Sequence, residues 1–253
     1  MYKCLFIISV TMLLMSCSIK EDRDECPCWM TVEMPDRVGH DGSVVLRLHG
    51  NYDDGAMDYA YKVSESIKAD VGILEYEVPR GSVGVSVVNS ARLVVPVGEQ
   101  MDSLYGFFKP YHTRCESVKC DVELHKEFCT VSFTLVDEHY ESPYDIEVRG
   151  NVSGVSPWDL VPASGAFKYA PVAEEGVYRV RIPRQVDASL EMVMLSNQEI
   201  VSRFPLGEYI IKSGYDWAAK DLSDVSVALD LEKQQVMVTV SGWDEIVVMD
   251  VVI

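Results

Sequence analysis

The sequence predicts an all-β protein whose mature part folds as two β-sandwich domains in tandem. Three observations predict this class: hydrophobic residues recur at every second position in several segments, turn-forming clusters separate these segments, and helical periodicity is almost absent. Because one sandwich takes about 100 residues, a chain of 253 residues with a short leader has room for two.

The N-terminus has the features of a bacterial lipoprotein signal peptide, which we expect to comprise residues 1–16. Lys3 supplies a positive charge, and the apolar run from Leu5 to Leu14 is shorter than the roughly 20 residues of a transmembrane helix. Leu14-Met15-Ser16-Cys17 resembles the lipobox, whose cysteine is acylated after signal cleavage. Cys17 is therefore the predicted lipidation site, and this covalent lipid is the membrane attachment that we expect. An ordinary secretory signal and a short buried segment are the alternatives.

Residues 17–25 are predicted to form a lipidated acidic tether. This segment is rich in charge and has no apolar periodicity, so it should be solvated. It resembles the acidic export tag that follows the lipid cysteine in surface lipoproteins of Bacteroidetes-type bacteria, and a plain spacer is the alternative. The tag interpretation places the protein on the outer membrane, facing outwards.

Strands are predicted in chain order from the period of two, and turns from glycine, proline and asparagine. The polar stretch 112–119 suggests the boundary between an N-terminal sandwich, 26–116, and a C-terminal sandwich, 117–253. One or two helical turns are expected at 215–222. The predicted strands are 44–49, 83–88, 129–136, 225–232 and 236–241, and the predicted turns include Gly50-Asn51, Pro79-Arg80-Gly81, Gly150-Asn151 and Ser241-Gly242.

The charge composition limits the classes of partner that the protein can bind. The formal charge is −18, from 40 acidic and 22 basic residues. Such a surface repels phosphate backbones, so we expect no nucleic-acid partner. The hydrophobic content of 48% is that of an ordinary folded protein.

Five cysteines remain once Cys4 leaves with the signal and Cys17 carries lipid. An exported location permits disulfides, and an odd number leaves at least one thiol free or paired with another molecule. Their spacing lacks the clean pairs and matching histidines of a zinc site, so no metal is expected. The candidate disulfide partners are Cys26, Cys28, Cys115, Cys120 and Cys129.

The sequence contains no motif of a known catalytic site. It lacks a nucleophile elbow, a zinc-protease helix, a phosphate-binding loop and a dinucleotide fingerprint, and its five histidines are scattered. Adjacent acidic residues such as Asp53-Asp54 would point to opposite faces of a strand and so make no acid–base pair there. We therefore expect no enzyme activity, no cofactor and no small-molecule substrate.

Several segments together resemble a known family of cell-surface proteins. Cys26–Val32 is similar to the opening of the FimB/Mfa-type fimbrillin-associated anchor lipoproteins of Bacteroidales. The order of these matches behind a lipobox carries the resemblance, since each is weak alone. The other matching segments are Val122–Phe128, Phe204–Ile210, Leu222–Val225 and Val236–Trp243.

The resemblance implies two transthyretin-like β-sandwiches and a place at the base of a type V fimbria. In that family the anchor holds the fibre to the outer membrane and limits its length, and fimbrial stalk pilins join by strand exchange. An added strand satisfies unpaired backbone groups and fills an apolar slot, as in donor-strand complementation. The partners implied are therefore stalk pilin subunits and the outer membrane.

The final apolar segment, 246–253, has two interpretations. It is either a strand donated to the adjacent pilin or the closing strand of its own sandwich, paired with 236–240 across a short turn, which hairpin spacing favours. The segment Trp29–Met34 has the same ambiguity. The candidate strand-exchange residues are Ile246, Val248, Asp250 and Val252.

The alternative function is a surface lipoprotein that binds glycans. Glycan sites need exposed aromatic platforms. Trp158 lies in the turn-like sequence Ser156-Pro157-Trp158-Asp159 and is the best candidate among the four tryptophans.

Overall fold

The computed structural model describes residues 26–34, 43–52, 61–68, 72–136, 144–230, 232–233, 235–242 and 246–250. The predicted signal peptide, Cys17, the tether, Trp243 and Val252 lie outside these residues. Within the described ranges the chain is almost entirely β-strand with one short helix, which confirms the all-β prediction. None of the described helices is long and apolar enough to cross a membrane.

The N-terminal strands form two sheets around one core. Sheet I has the order β4-β1-β7 and sheet II the order β3-β2-β5-β6-β8, and their neighbours are antiparallel except for β1 with β7. The strands are β1 Cys28–Glu33, β2 Ser43–Tyr52, β3 Tyr61–Lys68, β4 Ile73–Val78, β5 Gly81–Val88, β6 Tyr105–His112, β7 Ser117–Asp121 and β8 His125–Lys126.

The C-terminal strands form a second pair of sheets around a second core. Sheet III has the order β11-β10-β14-β15 and sheet IV the order β12-β13-β9-β16-β17-β18. The elements are β9 Phe128–Val136, β10 Asp145–Val155, β11 Pro162–Tyr169, β12 Ala173–Glu174, β13 Val177–Pro183, β14 Glu191–Ser196, β15 Glu199–Phe204, α1 Leu206–Lys212, β16 Val225–Asp230, β17 Gln235–Val240 and β18 Ile246–Asp250.

The alternating pattern produces both cores. Met30 and Val32 of β1 and Leu46 of β2 are fully buried between sheets I and II, while their chain neighbours face outwards. Val225 and Val227 of β16 are likewise buried between sheets III and IV. The hydrophobic effect thus decides the face of each strand, because a shift of one residue would exchange its two faces.

The predicted domain boundary is wrong by two short strands. β7, which begins at Ser117, pairs in parallel with β1, and β8 pairs with β6. The N-terminal sheets therefore extend to Lys126, and the chain enters the second sandwich at β9. The polar stretch 112–119 marks the turn between β6 and β7 rather than a linker.

Three local predictions also change. The helix is Leu206–Lys212 rather than the predicted 215–222; it begins after Pro205 and ends before Gly214, whose φ is 88°. Residues 217–218 form a turn instead. The Asp216 carboxylate stabilises this turn by accepting a hydrogen bond from the Ala218 N–H. Gly50-Asn51 lies inside β2, not in a turn. Gly150-Asn151 lies inside β10 at a register shift, so its turn-like composition marks a β-bulge.

The segment 89–104 between β5 and β6 leaves the N-terminal sandwich and packs on the C-terminal one. We call it the arm. Leu93, Val95, Met101 and Leu104 belong to the C-terminal core and are at most 5% exposed. The sequence alone does not distinguish this segment, because its apolar residues resemble those of any buried strand.

Backbone hydrogen bonds attach the arm to both C-terminal sheets. On sheet III, the Val95 N–H donates to the Ser153 carbonyl at 2.8 Å, and the Val155 N–H donates to the Leu93 carbonyl at 2.9 Å. On sheet IV, the Met101 N–H donates to the Arg181 carbonyl at 3.0 Å. The arm therefore pairs with stretches of β10 and β13 that would otherwise be unpaired.

The outer face of sheet II forms the remainder of the domain junction. On β5, Ser86 and Val88 lie on the face opposite the N-terminal core and are nevertheless fully buried. The Ser86 hydroxyl donates to the Pro157 carbonyl at 3.1 Å. A methyl group added at Gly106 would lie 2.6 Å from Leu160 Cδ1, so the Leu160 side chain packs directly against the β6 backbone at the junction.

Candidate functional site

β18 lies at the edge of sheet IV and pairs with β17 alone among the described strands. Ile246 and Val248 are 59% and 55% exposed, while Met249 packs against the C-terminal core. The Tyr209 hydroxyl donates to the Asp250 carbonyl at 3.2 Å and so attaches the end of the strand to α1. Within the described part of the chain, no strand pairs with the other side of the β18 backbone.

The pairing of β18 is the one that the hairpin interpretation predicts. Val238 lies opposite Val247, and Thr239 opposite Ile246, across the turn that begins at Ser241-Gly242. The candidate exchange residues Ile246, Val248 and Asp250 thus occupy their own sheet. Donation of this strand to a neighbouring subunit stays a prediction.

β1, the other candidate exchange segment, is held on both sides. It is the central strand of sheet I, antiparallel to β4 and parallel to β7. Its inward residues Met30 and Val32 are fully buried. Exchange of β1 would require opening both ladders and the N-terminal core.

β18 differs in composition from the other described edge strands. It contains four consecutive apolar residues, Ile246–Met249, with its one charge at the end. β15, the nearest comparison, carries Glu199 and Arg203 and pairs with β14 through a register shift. Charged residues or a proline also lie in the remaining edge strands β3, β4, β7, β8, β11 and β12.

A groove of about 630 Å³ lies where the arm, β12 and β13 meet. Its aromatic wall contains Tyr105, Phe128 and Tyr169, and the Tyr105 and Phe128 rings meet edge to face at 5.8 Å. The lining includes residues from both sandwiches, so sequence reasoning could not assemble it. No pattern in the chain connects residues this far apart.

Paired charges line the same groove. Lys126 lies 4.6 Å from the centre of the Phe128 ring and 2.5 Å from the Asp224 carboxylate. Burial would raise the pKa of Asp224, but hydrogen bonds from Lys126 and Thr130 hold it below its ordinary value, so the carboxylate stays charged. Arg181 donates to the Ser103 hydroxyl at 2.9 Å. The groove thus combines aromatic surface with fixed polar groups.

Trp158, the predicted glycan platform, belongs to the domain junction. The His49 ring meets its edge at 5.6 Å, and the Lys62 ammonium lies 5.5 Å from its ring centre. Both neighbours come from sheet II. The ring is only partly exposed, and its contacts are those of a residue that joins the two sandwiches.

The five cysteines carry free thiols in the structure and form no metal centre. Cys28, Cys120 and Cys129 are fully buried, and Cys26 and Cys115 are exposed. Burial raises the pKa of Cys129 to about 12, so its thiol is protonated and unreactive at neutral pH. Across the described ranges, no three His, Cys, Asp or Glu side chains converge as metal ligands.

The fold is shared with solved structures from Bacteroidales. The chain is similar to a candidate polysaccharide-binding protein of Bacteroides thetaiotaomicron, with a TM-score of 0.60 at 13% identity over 88% of this chain and 98% of that one. A candidate adhesin of Bacteroides ovatus gives a TM-score of 0.55 at 15% identity, covering 92% and 97%.

The fimbrial anchor protein Mfa2 of Porphyromonas gingivalis gives a TM-score of 0.55 at 10% identity, covering 86% of this chain and 98% of that one. At these identities the comparison establishes the fold. No protein-family model matches the sequence, and no curated protein matches it either. The predicted structural resemblance to Mfa-type proteins is confirmed.

Proposed function

We propose that this chain is a surface lipoprotein that attaches a type V fimbria to the outer membrane and limits its length. The adjacent pilin pairs with the C-terminal sandwich through the open edge of β18. The observation that carries the proposal is this edge: four consecutive apolar residues on a strand whose outer side pairs with none of the described strands. The role is one of assembly and needs no catalysis.

An edge of this kind favours strand addition. Monomeric proteins protect edge strands with lysine, proline, bulges or inward charges, because an unprotected edge recruits other chains. β18 has none of these between Ile246 and Met249. A partner strand would satisfy its backbone groups, and Ile246 and Val248 would supply apolar contacts for alternate side chains.

The arrangement of the two sandwiches suits an anchor. A lipid on Cys17 would pull on the chain just before β1, and β1 is paired on both sides within the N-terminal sandwich. The proposed fimbrial contact lies in the other sandwich. Tension between membrane and fibre would therefore pass through the junction and the arm, which bury apolar residues and share backbone hydrogen bonds.

The test is electron microscopy of cells that lack the gene, together with their cell-free medium. The proposal predicts overlong fimbriae or fimbriae shed into the medium, restored by the full-length gene. A chain truncated after Gly242, which lacks β18, should reach the surface but fail to restore attachment. Fimbriae of unchanged length and attachment in the deletion strain would overturn the proposal.

Lipid attachment has its own test. Cys17→Ala should abolish metabolic labelling with a palmitate analogue and release the protein from the membrane fraction, whereas Cys26→Ala should change neither. Protease applied to whole cells should remove the wild-type protein. A protease-protected protein would contradict surface exposure.

The groove favours a second candidate function, the binding of glycans. Its three aromatic rings and fixed polar groups match the apolar faces and hydroxyls of a saccharide. On a glycan array, Tyr105→Ala should abolish binding, whereas Trp158→Ala should retain it because Trp158 lies at the junction. Unchanged binding by Tyr105→Ala, or no binding by the wild type, would remove this function.

A further inference from the structure

Cys28 and Cys115 lie near one another at one corner of the N-terminal sandwich, and Cys26 precedes Cys28 by two residues. Cys26 and Cys28 precede and begin β1, and Cys115 lies in the turn between β6 and β7. The parallel pairing of β1 with β7 aligns these segments: Trp29 lies opposite Ser117, and the Trp29 N–H donates to the Glu116 carbonyl at 2.9 Å. Continued by one residue, this register places Cys28 beside Glu116, next to Cys115 in the chain.

Within this corner, Cys28 and Cys115 are neighbours across the junction of β1 and β7, and their thiols interact electrostatically. Cys28 is fully buried, whereas Cys115 is exposed and directs its thiol towards the Ser117 carbonyl at 3.2 Å. Burial, followed by the neighbouring Cys115, raises the pKa of Cys28 to about 11.

The other cysteines are separated from this pair. Cys120 lies in the N-terminal core, where its side chain interacts with Tyr111. Cys129 lies in the C-terminal core, where it interacts with Tyr215. Cys26 is exposed, and its carbonyl accepts a hydrogen bond from Arg80 at 2.6 Å. Cys26 is therefore the odd thiol, and Cys28 and Cys115 are the natural pair.

We propose that Cys28 and Cys115 form a structural disulfide in the exported protein, and this inference rests on the export that the proposed function requires. The two thiols lose two protons and two electrons as one sulfur–sulfur bond forms. The electrons pass to the disulfide of a cell-envelope thiol–disulfide oxidoreductase, which becomes a dithiol. Cys26, Cys120 and Cys129 stay reduced.

The bond would reinforce the point where the tether enters the fold. The chain from the lipid enters β1 at Cys28, so a pull on the tether first loads the ladders that β1 forms with β4 and β7. A link from Cys28 to Cys115 passes part of that pull to the turn before β7. It also closes a loop around most of the N-terminal sandwich, which restricts the unfolded chain.

The experiment is a thiol map of the full-length protein purified from the cell envelope. The protein is unfolded without reductant, alkylated with a first reagent, reduced, and alkylated with a second. The proposal predicts the second label on Cys28 and Cys115 and the first label on the other three. The first label on both Cys28 and Cys115, or a link from either to another cysteine, overturns it.

Matched serine variants separate the pair from its neighbour. The intact mass of Cys26→Ser should still show the loss of two hydrogens that one disulfide causes. The intact mass of Cys28→Ser should not show this loss. A reductant should lower the melting temperature of the wild type and of Cys26→Ser by roughly 5–10 °C, and should not affect Cys28→Ser. A new Cys26–Cys115 link in the wild type would mean that Cys26 is the partner and contradict the proposal.

A second arm separates failure of the disulfide from failure of export. Reduced, folded protein is incubated with oxidised glutathione and mapped in the same way. The Cys28–Cys115 link in this sample alone would support the geometry and overturn formation of the disulfide in the cell, whereas export is decided by the lipid labelling of Cys17 and the protease treatment of whole cells. The absence of the link in both samples would overturn the disulfide while leaving fimbrial attachment to its own test.

Discussion

The C-terminal sandwich has two kinds of edge. On one side the arm crosses from β10 to β13 and contributes buried side chains and backbone hydrogen bonds. On the other side β18 has one paired neighbour and an apolar surface that nothing in the described chain covers. Both edges would attract an additional strand.

The difference shows which sheet edges the molecule covers with its own chain and which it leaves available to another strand. Where the two sandwiches must stay together, a segment of the chain itself pairs with the edge. Where another subunit is expected, the edge stays open and apolar. Substitutions at the covered edge should therefore act on stability, and substitutions at the open edge on fimbrial attachment.

Gly154→Ala should have the largest effect on stability. A Cβ at this position would lie 1.9 Å from the Leu93 carbonyl oxygen and 2.8 Å from the Val94 Cα, both backbone atoms of the arm. The arm must move, which should cost about 3 kcal/mol in the free energy of unfolding measured in urea. Gly72→Ala has nothing within 4 Å of its Cβ and is the control. Equal stability of the two variants would contradict the role of the arm.

Met101→Ala should weaken the same edge somewhat less. Met101 is fully buried in the C-terminal core although it belongs to the arm. Loss of its side chain should cost about 2–3 kcal/mol, at the low end for buried methionine because a chain segment at an edge can move inwards. Val97→Ala, on the same arm but 61% exposed, should change the free energy of unfolding by less than about 0.5 kcal/mol.

Val248→Lys should barely change stability, because Val248 is 55% exposed, and its free energy of unfolding should change by less than about 0.5 kcal/mol. Its effect should instead appear in complemented deletion cells, as fimbriae shed into the medium, because a lysine disfavours strand addition. Val201→Lys, 52% exposed on β15, is the matched control. If both variants restore attachment, β18 is not the fimbrial contact.

Acid should weaken the junction. Burial lowers the pKa of His49 below its ordinary value of 6.5. Asp159 partly opposes this shift, and Lys62 lowers the pKa further. As the pH falls through 6.5 the unfolded chain binds a proton before the folded one does, so stability is lost on acidification. Between pH 7.5 and 5.5 the melting temperature should fall by roughly 2–4 °C, and less in His49→Gln. An identical fall in both would exclude His49 as the cause.

Local alternation was sufficient to predict the strands and the core residues within them. Val44, Leu46 and Leu48 face inwards because neighbouring side chains on a strand point to opposite faces, a property contained in adjacent residues. The all-β class, the hairpin that ends in β18 and the turn at Pro79-Arg80-Gly81 were predictable for the same reason. The lipidation of Cys17 also follows from a short local pattern, and it stays a prediction.

Only the tertiary structure decided which strands pair across long separations and which edges stay open. It assigned β7 to the first sandwich, placed Met101 in the second core, moved Trp158 into the junction, and brought Cys28 to Cys115. Each of these depends on burial and pairing between residues far apart in the chain. No local period encodes such pairings, because their free energy arises only when both sandwiches are assembled.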